Sequence, residues 1–71
     1  MNKAALKGLI VTNDGSQAKL AEAMGLSLSR LNAKINESGA EFSKSEIEFI
    51  RSRYKLSRKQ VMDIFFTNTV S

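Results

Sequence analysis

The chain has no cysteine, histidine, proline or tryptophan among its 71 residues. Without cysteine, no disulfide or thiolate metal site can reinforce the fold, and a reducing cytoplasm suits it. Without histidine as well, nucleophilic triads and most zinc sites are excluded. No apolar run exceeds three residues, and Leu9-Ile10-Val11, one of these, is far too short to span a membrane. The N-terminus lacks the long apolar core of a secretory signal. No strand-length alternation, repeat or linker is legible.

What the chain does contain is small and basic. At this length it reads as one domain, and such a domain buries only about 60% of its unfolded surface. Eleven basic and seven acidic residues give a net charge of +4, which favours a polyanionic partner. The seven carboxylates do not suggest an enzyme. Asp14, Glu22, Glu37, Glu41, Glu46, Glu48 and Asp63 all read as turn, cap or surface residues. Glu46 and Glu48 diverge, being two apart on a helix. No cofactor, metal or small-molecule substrate is expected.

The remaining pattern is helical throughout. A first helix follows Asn2 and runs to about Thr12, with Leu6, Leu9 and Ile10 on one face. Asn13-Asp14-Gly15 is turn chemistry and ends it. A second helix begins at Ser16 and ends at Met24, with Ala18, Leu20, Ala21 and Met24 inward and Gly25 suited to the left-handed turn after it. The third starts at Ser27 as a cap. Leu26 and Leu31 form a hydrophobic staple, and Leu31 and Ile35 share a buried face. Residues 36–40 form a polar loop. Ser43-Lys44-Ser45-Glu46 is a capping box with Phe42 and Ile47 as its staple, and Ile50 and Tyr54 continue that stripe. Ser57-Arg58-Lys59-Gln60 is a second box, stapled by Leu56 and Val61, with Ile64 and Phe65 also inward. Residues 67–71 read as a short tail. The expected fold is all-α: one compact domain of five helices over residues 1–71.

The most specific stretch, about residues 16–36, reads as a helix-turn-helix at the second and third helices. That unit lays its second helix in the DNA major groove. Ala21 is small where the two helices meet, and Gly25 permits the turn. A plain glycine-capped helical hairpin is the bland alternative. On the outward side of the third helix stand Ser27, Leu28, Ser29, Asn32, Ala33 and Asn36. Asn32 can read adenine in bidentate fashion, Ser27 and Ser29 can bond a base edge or phosphate, and Ala33 can touch a thymine methyl. Gln17, at a helix start, is placed for a backbone phosphate. Arg30, Lys34 and Lys19 are the phosphate-contact cations. Each of these residues also reads as ordinary solvated surface.

Leu28 stands where a polar reader is usual. It fits a thymine methyl, a protein partner or packing on a neighbouring helix. Arg51, Arg53, Lys55, Arg58 and Lys59 place five cations in nine residues, as extra phosphate contacts or as a solubilising surface. Phe65 and Phe66 differ by about 100° around a helix, so both cannot face inward. The spare ring suits a dimer interface or a place under the tail.

With these residues in view, the chain resembles small helix-turn-helix proteins of temperate phages of Gram-positive hosts, of the Cro/repressor-like class. The likeness rests on Leu6-Lys7-Gly8-Leu9-Ile10, Ala21-Glu22-Ala23-Met24-Gly25-Leu26-Ser27 and Leu31-Asn32-Ala33-Lys34-Ile35-Asn36. Ser45-Glu46-Ile47 and Phe65-Phe66-Thr67 extend it over nearly the whole chain. The resemblance implies a lambda-repressor-like domain in the bacterial host cytoplasm, regulating a lysogeny switch by binding double-stranded DNA, as a homodimer on paired half-sites. The chain is also similar to modulator-of-repression antirepressors. These imply a heterodimer in which Leu28, Ser29, Asn32, Ala33 and Asn36 mask a phage repressor's DNA-binding domain. Two departures stand out: Leu28 in place of a polar reader, and Lys34 where a core aliphatic is frequent, with Ile35 in that role.

Overall fold

A computed structural model describes residues 1–66, and the tail expected at 67–71 lies outside them. Five helices follow in order: α1 (Lys3–Asp14), α2 (Gln17–Met24), α3 (Leu28–Ile35), α4 (Lys44–Tyr54) and α5 (Arg58–Phe65). No strand occurs among the described residues. The all-α, five-helix architecture is therefore as the sequence pattern requires.

Each helix starts on a side chain that accepts an otherwise orphaned backbone N–H. Asn2, Ser16, Ser27, Ser43 and Ser57 accept from Ala5, Lys19, Arg30, Glu46 and Gln60 respectively. Both capping boxes form: Glu46 takes the Ser43 N–H and Gln60 takes the Ser57 N–H, each at 2.8 Å. The ends are equally local. Gly25 turns left-handed at φ 71°, and its N–H reaches back to the Ala21 and Glu22 carbonyls. The Leu26 N–H bonds Ala21 at 2.9 Å, completing the turn between α2 and α3.

The core is a single cluster. Leu6, Ile10, Leu20, Leu31, Ile35 and Ile50 are sealed from solvent, with Ala21, Tyr54, Leu56, Val61 and Ile64 nearly so. Ala21 lies in that core, where a larger side chain would push α2 away from its neighbours. α1 packs on α2 and α5, α2 on α3, and α4 on α5. The Asn2 N–H bonds the Ile64 carbonyl at 2.7 Å and ties the start of the chain to α5.

One boundary and one buried position differ from the sequence expectation. α1 continues through Asn13 and Asp14, and Gly15 takes the left-handed turn at φ 83°. The Asp14 carboxylate accepts from Arg53 of α4 at 2.6 Å and from the Tyr54 hydroxyl, and these bonds hold the last turn helical. Ala18, expected inward, is exposed, so Leu20 and Ala21 carry the buried side of α2.

Candidate functional site

α3 begins one short turn after α2 and is fixed from one side. Leu31 and Ile35, both at 0% exposure, pin it to the core. At about 100° per residue, this sets what points away. Ser29, Ala33 and Asn36 lie opposite the pinned side, with Asn32 toward one edge and Arg30 toward the other; Leu28, one turn before Leu31, stands above the pinned side at the open start of the helix. Ser29, Arg30 and Asn36 are exposed; Asn32 and Ala33 are half-buried beside the helix surface. Among the described residues, the Ser29 hydroxyl, Arg30 guanidinium and Asn32 carboxamide have no intramolecular partner. They are therefore open to an external donor or acceptor.

Ser27 is only partly available. Its Oγ accepts the Arg30 N–H at 3.1 Å, which leaves the hydroxyl proton for an outside group. Gln17 occupies the first position of α2, half-buried, next to the Ser16 cap. Lys19, one turn further, is exposed. No carboxylate lies between Glu22 and Glu37, so nothing on α3 itself repels an anion.

Lys34 has a different place from the one expected. It stands three residues after Leu31 and one before Ile35, on the inner side of α3. Its side chain is only 12% exposed. The ammonium donates to the Glu41 carbonyl at 3.1 Å and to Glu46 Oε1 at 3.0 Å. Glu46 Oε1 is the oxygen that closes the α4 capping box, so Lys34 fastens α3 to the start of α4. With two of its three N–H groups turned inward and so little of it exposed, the ammonium points away from an outside phosphate. Lys34 therefore leaves the set of outward cations. Burial pushes the Glu46 carboxyl up, but the Ser43 N–H and the Lys34 ammonium outweigh it and hold its pKa below the ordinary value.

Leu28 is 46% exposed, so nearly half of it stays open beyond what packing on the fold covers. Phe65 is the inward ring of its pair and meets Phe42 edge to face at 5.7 Å between centroids, whereas Phe66 is 57% exposed. The later basic cluster divides. Arg53 is clamped on Asp14 through Nε and Nη2, and Arg51 lies 3.7 Å from Glu48. Lys55, Arg58 and Lys59 are exposed.

The sequence reading missed the contact among Asp14, Arg53 and Tyr54. Their separations of 39 and 40 residues leave no local trace. The Arg53 guanidinium holds the Asp14 carboxyl below its usual value, with the Tyr54 hydroxyl adding to the effect against burial. Burial, then the bond to Asp14, push the Tyr54 phenol well above its usual value.

Among the described residues, no group of acidic side chains is placed to hold a metal ion, and no helix is long and apolar enough to cross a membrane. Comparison with protein families, curated proteins and solved structures finds no match for this chain.

Proposed function

We propose that α2 and α3 act as a helix-turn-helix and that the protein is a transcriptional regulator placing α3 in the DNA major groove. One observation carries this reading. A short helix, pinned by Leu31 and Ile35, presents unpartnered Ser29, Arg30 and Asn32 and carries no carboxylate of its own. Asn32 supplies the donor–acceptor pair that fits adenine, Ser29 a hydroxyl for base or phosphate, and Ala33 a methyl contact for thymine. Ser27, Arg30, Gln17 and Lys19 position the helix on the backbone. The net charge of +4 draws the protein to DNA, and affinity falls as salt rises. The resemblance to phage regulators supplies the setting, a lysogeny switch in a bacterial cell.

Selection of duplexes from a random pool, followed by anisotropy at two salt concentrations, tests the reading. It predicts one enriched site, bound more tightly than scrambled DNA and weakened by salt. A pool that shows no enrichment, with binding indifferent to salt, would overturn it.

A second reading is favoured by Leu28 and Lys34 together. The tip of α3 exposes a leucine, and Lys34 faces inward, so Arg30 is the one free cation of the helix. An apolar tip flanked by Ser29, Asn32, Ala33 and Asn36 suits a protein surface better than a phosphate backbone. The protein then acts as an antirepressor, covering the DNA-binding domain of a partner repressor. Titration against that domain separates the two readings. Leu28→Lys abolishes repressor binding on the second reading, and unchanged affinity would refute this placement of the interface.

A further inference from the structure

We propose that the groove between α4 and α5 is a second docking surface, separate from α3, and that it takes an acidic segment of another protein carrying a large apolar anchor.

The groove encloses about 420 Å³. Ile47 of α4 and Val61 of α5 lie within it. Met62 and Phe66, one turn apart at the end of α5, complete its apolar lining and are 53% and 57% exposed. Both are large apolar groups left in water; of the other exposed large hydrophobics, Val11, Leu28 and Phe49, none lines this groove. Two such residues on one groove suit an anchor that would cover them.

Charge decides what kind of anchor. Lys44, Arg51 and Arg58 line the same groove, against the single carboxylate of Glu48. Arg51 approaches Glu48 only at 3.7 Å and on the surface, so the pair leaves a cationic excess. A second copy of this chain, itself at +4, would bring a like-charged groove against this one. Duplex DNA would satisfy the cations but leave Met62 and Phe66 without an apolar partner. An acidic segment with a leucine or phenylalanine matches both halves: its side chain covers Met62 and Phe66, and its carboxylates meet Lys44, Arg51 and Arg58.

The test is a titration of the full chain, followed by backbone amide NMR. The probe is a 12-residue peptide alternating Glu and Asp with Leu and Phe. One control replaces its acids with Lys, and another replaces its Leu and Phe with Gly. The proposal expects amide shifts concentrated at Ile47, Arg58, Met62 and Phe66, with neither control binding. Met62→Ser with Phe66→Ser weakens the peptide roughly tenfold or more, as loss of two large buried contacts requires. Arg51→Glu with Arg58→Glu does likewise. All four positions lie at the surface or groove edge, and an unchanged circular dichroism spectrum verifies the fold. None of these variants alters a residue assigned to the α3 face, so the outcome is independent of how α3 behaves.

Three results would overturn the proposal. In one, the cationic peptide binds as well as the acidic one. In another, duplex DNA shifts these amides while the acidic peptide does not, making the groove a nucleic-acid surface. In the third, sedimentation shows a dimer that Phe66→Ser dissolves, making a second copy the occupant.

Discussion

Lys34 and Arg30 are cations four residues apart on α3, and their surroundings divide their work. Arg30 stands in water with its guanidinium free, whereas Lys34 donates to Glu41 and Glu46 across the gap to α4. Replacing Lys34 with alanine removes a half-buried charge from a carboxylate that stays behind. We expect a loss of about 1–2 kcal/mol in urea unfolding, between the value of an exposed pair and that of a sealed one. Arg30→Ala touches nothing in the fold, and its unfolding free energy stays within about 0.5 kcal/mol of the parent. Equal stability losses, or a silent Lys34→Ala, would contradict this division. The inward position of Lys34 was latent in the sequence, because Leu31, Lys34 and Ile35 share the i, i+3, i+4 spacing of a buried face. Its charge suggested water. The partner that reverses that inference, Glu46, lies twelve residues on and belongs to another helix.

At the scale of elements, the helix ends govern the fold, and they show where it can be improved. α4 ends with Lys55 in the left-handed conformation at φ 54°, its N–H bonded to the Arg51 and Ser52 carbonyls. The equivalent position after α2 is Gly25, which adopts that conformation without steric cost. Lys55→Gly should therefore raise stability by about 0.5–1 kcal/mol, seen as a melting temperature several degrees higher. An unchanged or lowered midpoint would show that the Lys55 side chain makes a compensating contact. The caps and boxes were legible in the sequence because each acts over three or four residues: Ser43 with Glu46, Ser57 with Gln60, and Gly25 with Ala21. So was most of the outward face of α3, where Ser27, Leu28, Ser29 and Asn36 are exposed, whereas Asn32 and Ala33 are half-buried. The last turn of α1 was not legible. Asn13-Asp14-Gly15 reads as turn chemistry, but Arg53 and Tyr54 arrive from α4 and hold Asp14 in the helix. Ala18 misled for a simpler reason: alanine is apolar enough to suggest burial yet small enough to tolerate water.

Across the whole molecule, the long-range polar contacts set the pH window of stability. Asp14 and Glu46 titrate below their ordinary values in the folded chain, so each adds stability that is complete above about pH 5 and lost as pH falls through the folded pKa. Tyr54 is shifted upward, so its contribution holds below about pH 10 and is lost as pH rises beyond that. Thermal melts should show a plateau bounded on both sides. Tyr54→Phe should flatten the alkaline fall, and Asp14→Asn should reduce the acidic one. An alkaline limb unaltered by Tyr54→Phe would place its origin elsewhere. The same domain carries α3 as a face open to an external partner, and the central claim is that this face reads DNA. Anisotropy on the selected duplex and on scrambled DNA, for the parent, Asn32→Ala and Arg30→Ala, tests it most directly. The account predicts that Asn32→Ala narrows the gap between the two duplexes by about 1–3 kcal/mol, while Arg30→Ala weakens both alike and flattens the salt slope. If both variants bind as the parent does, α3 does not read DNA.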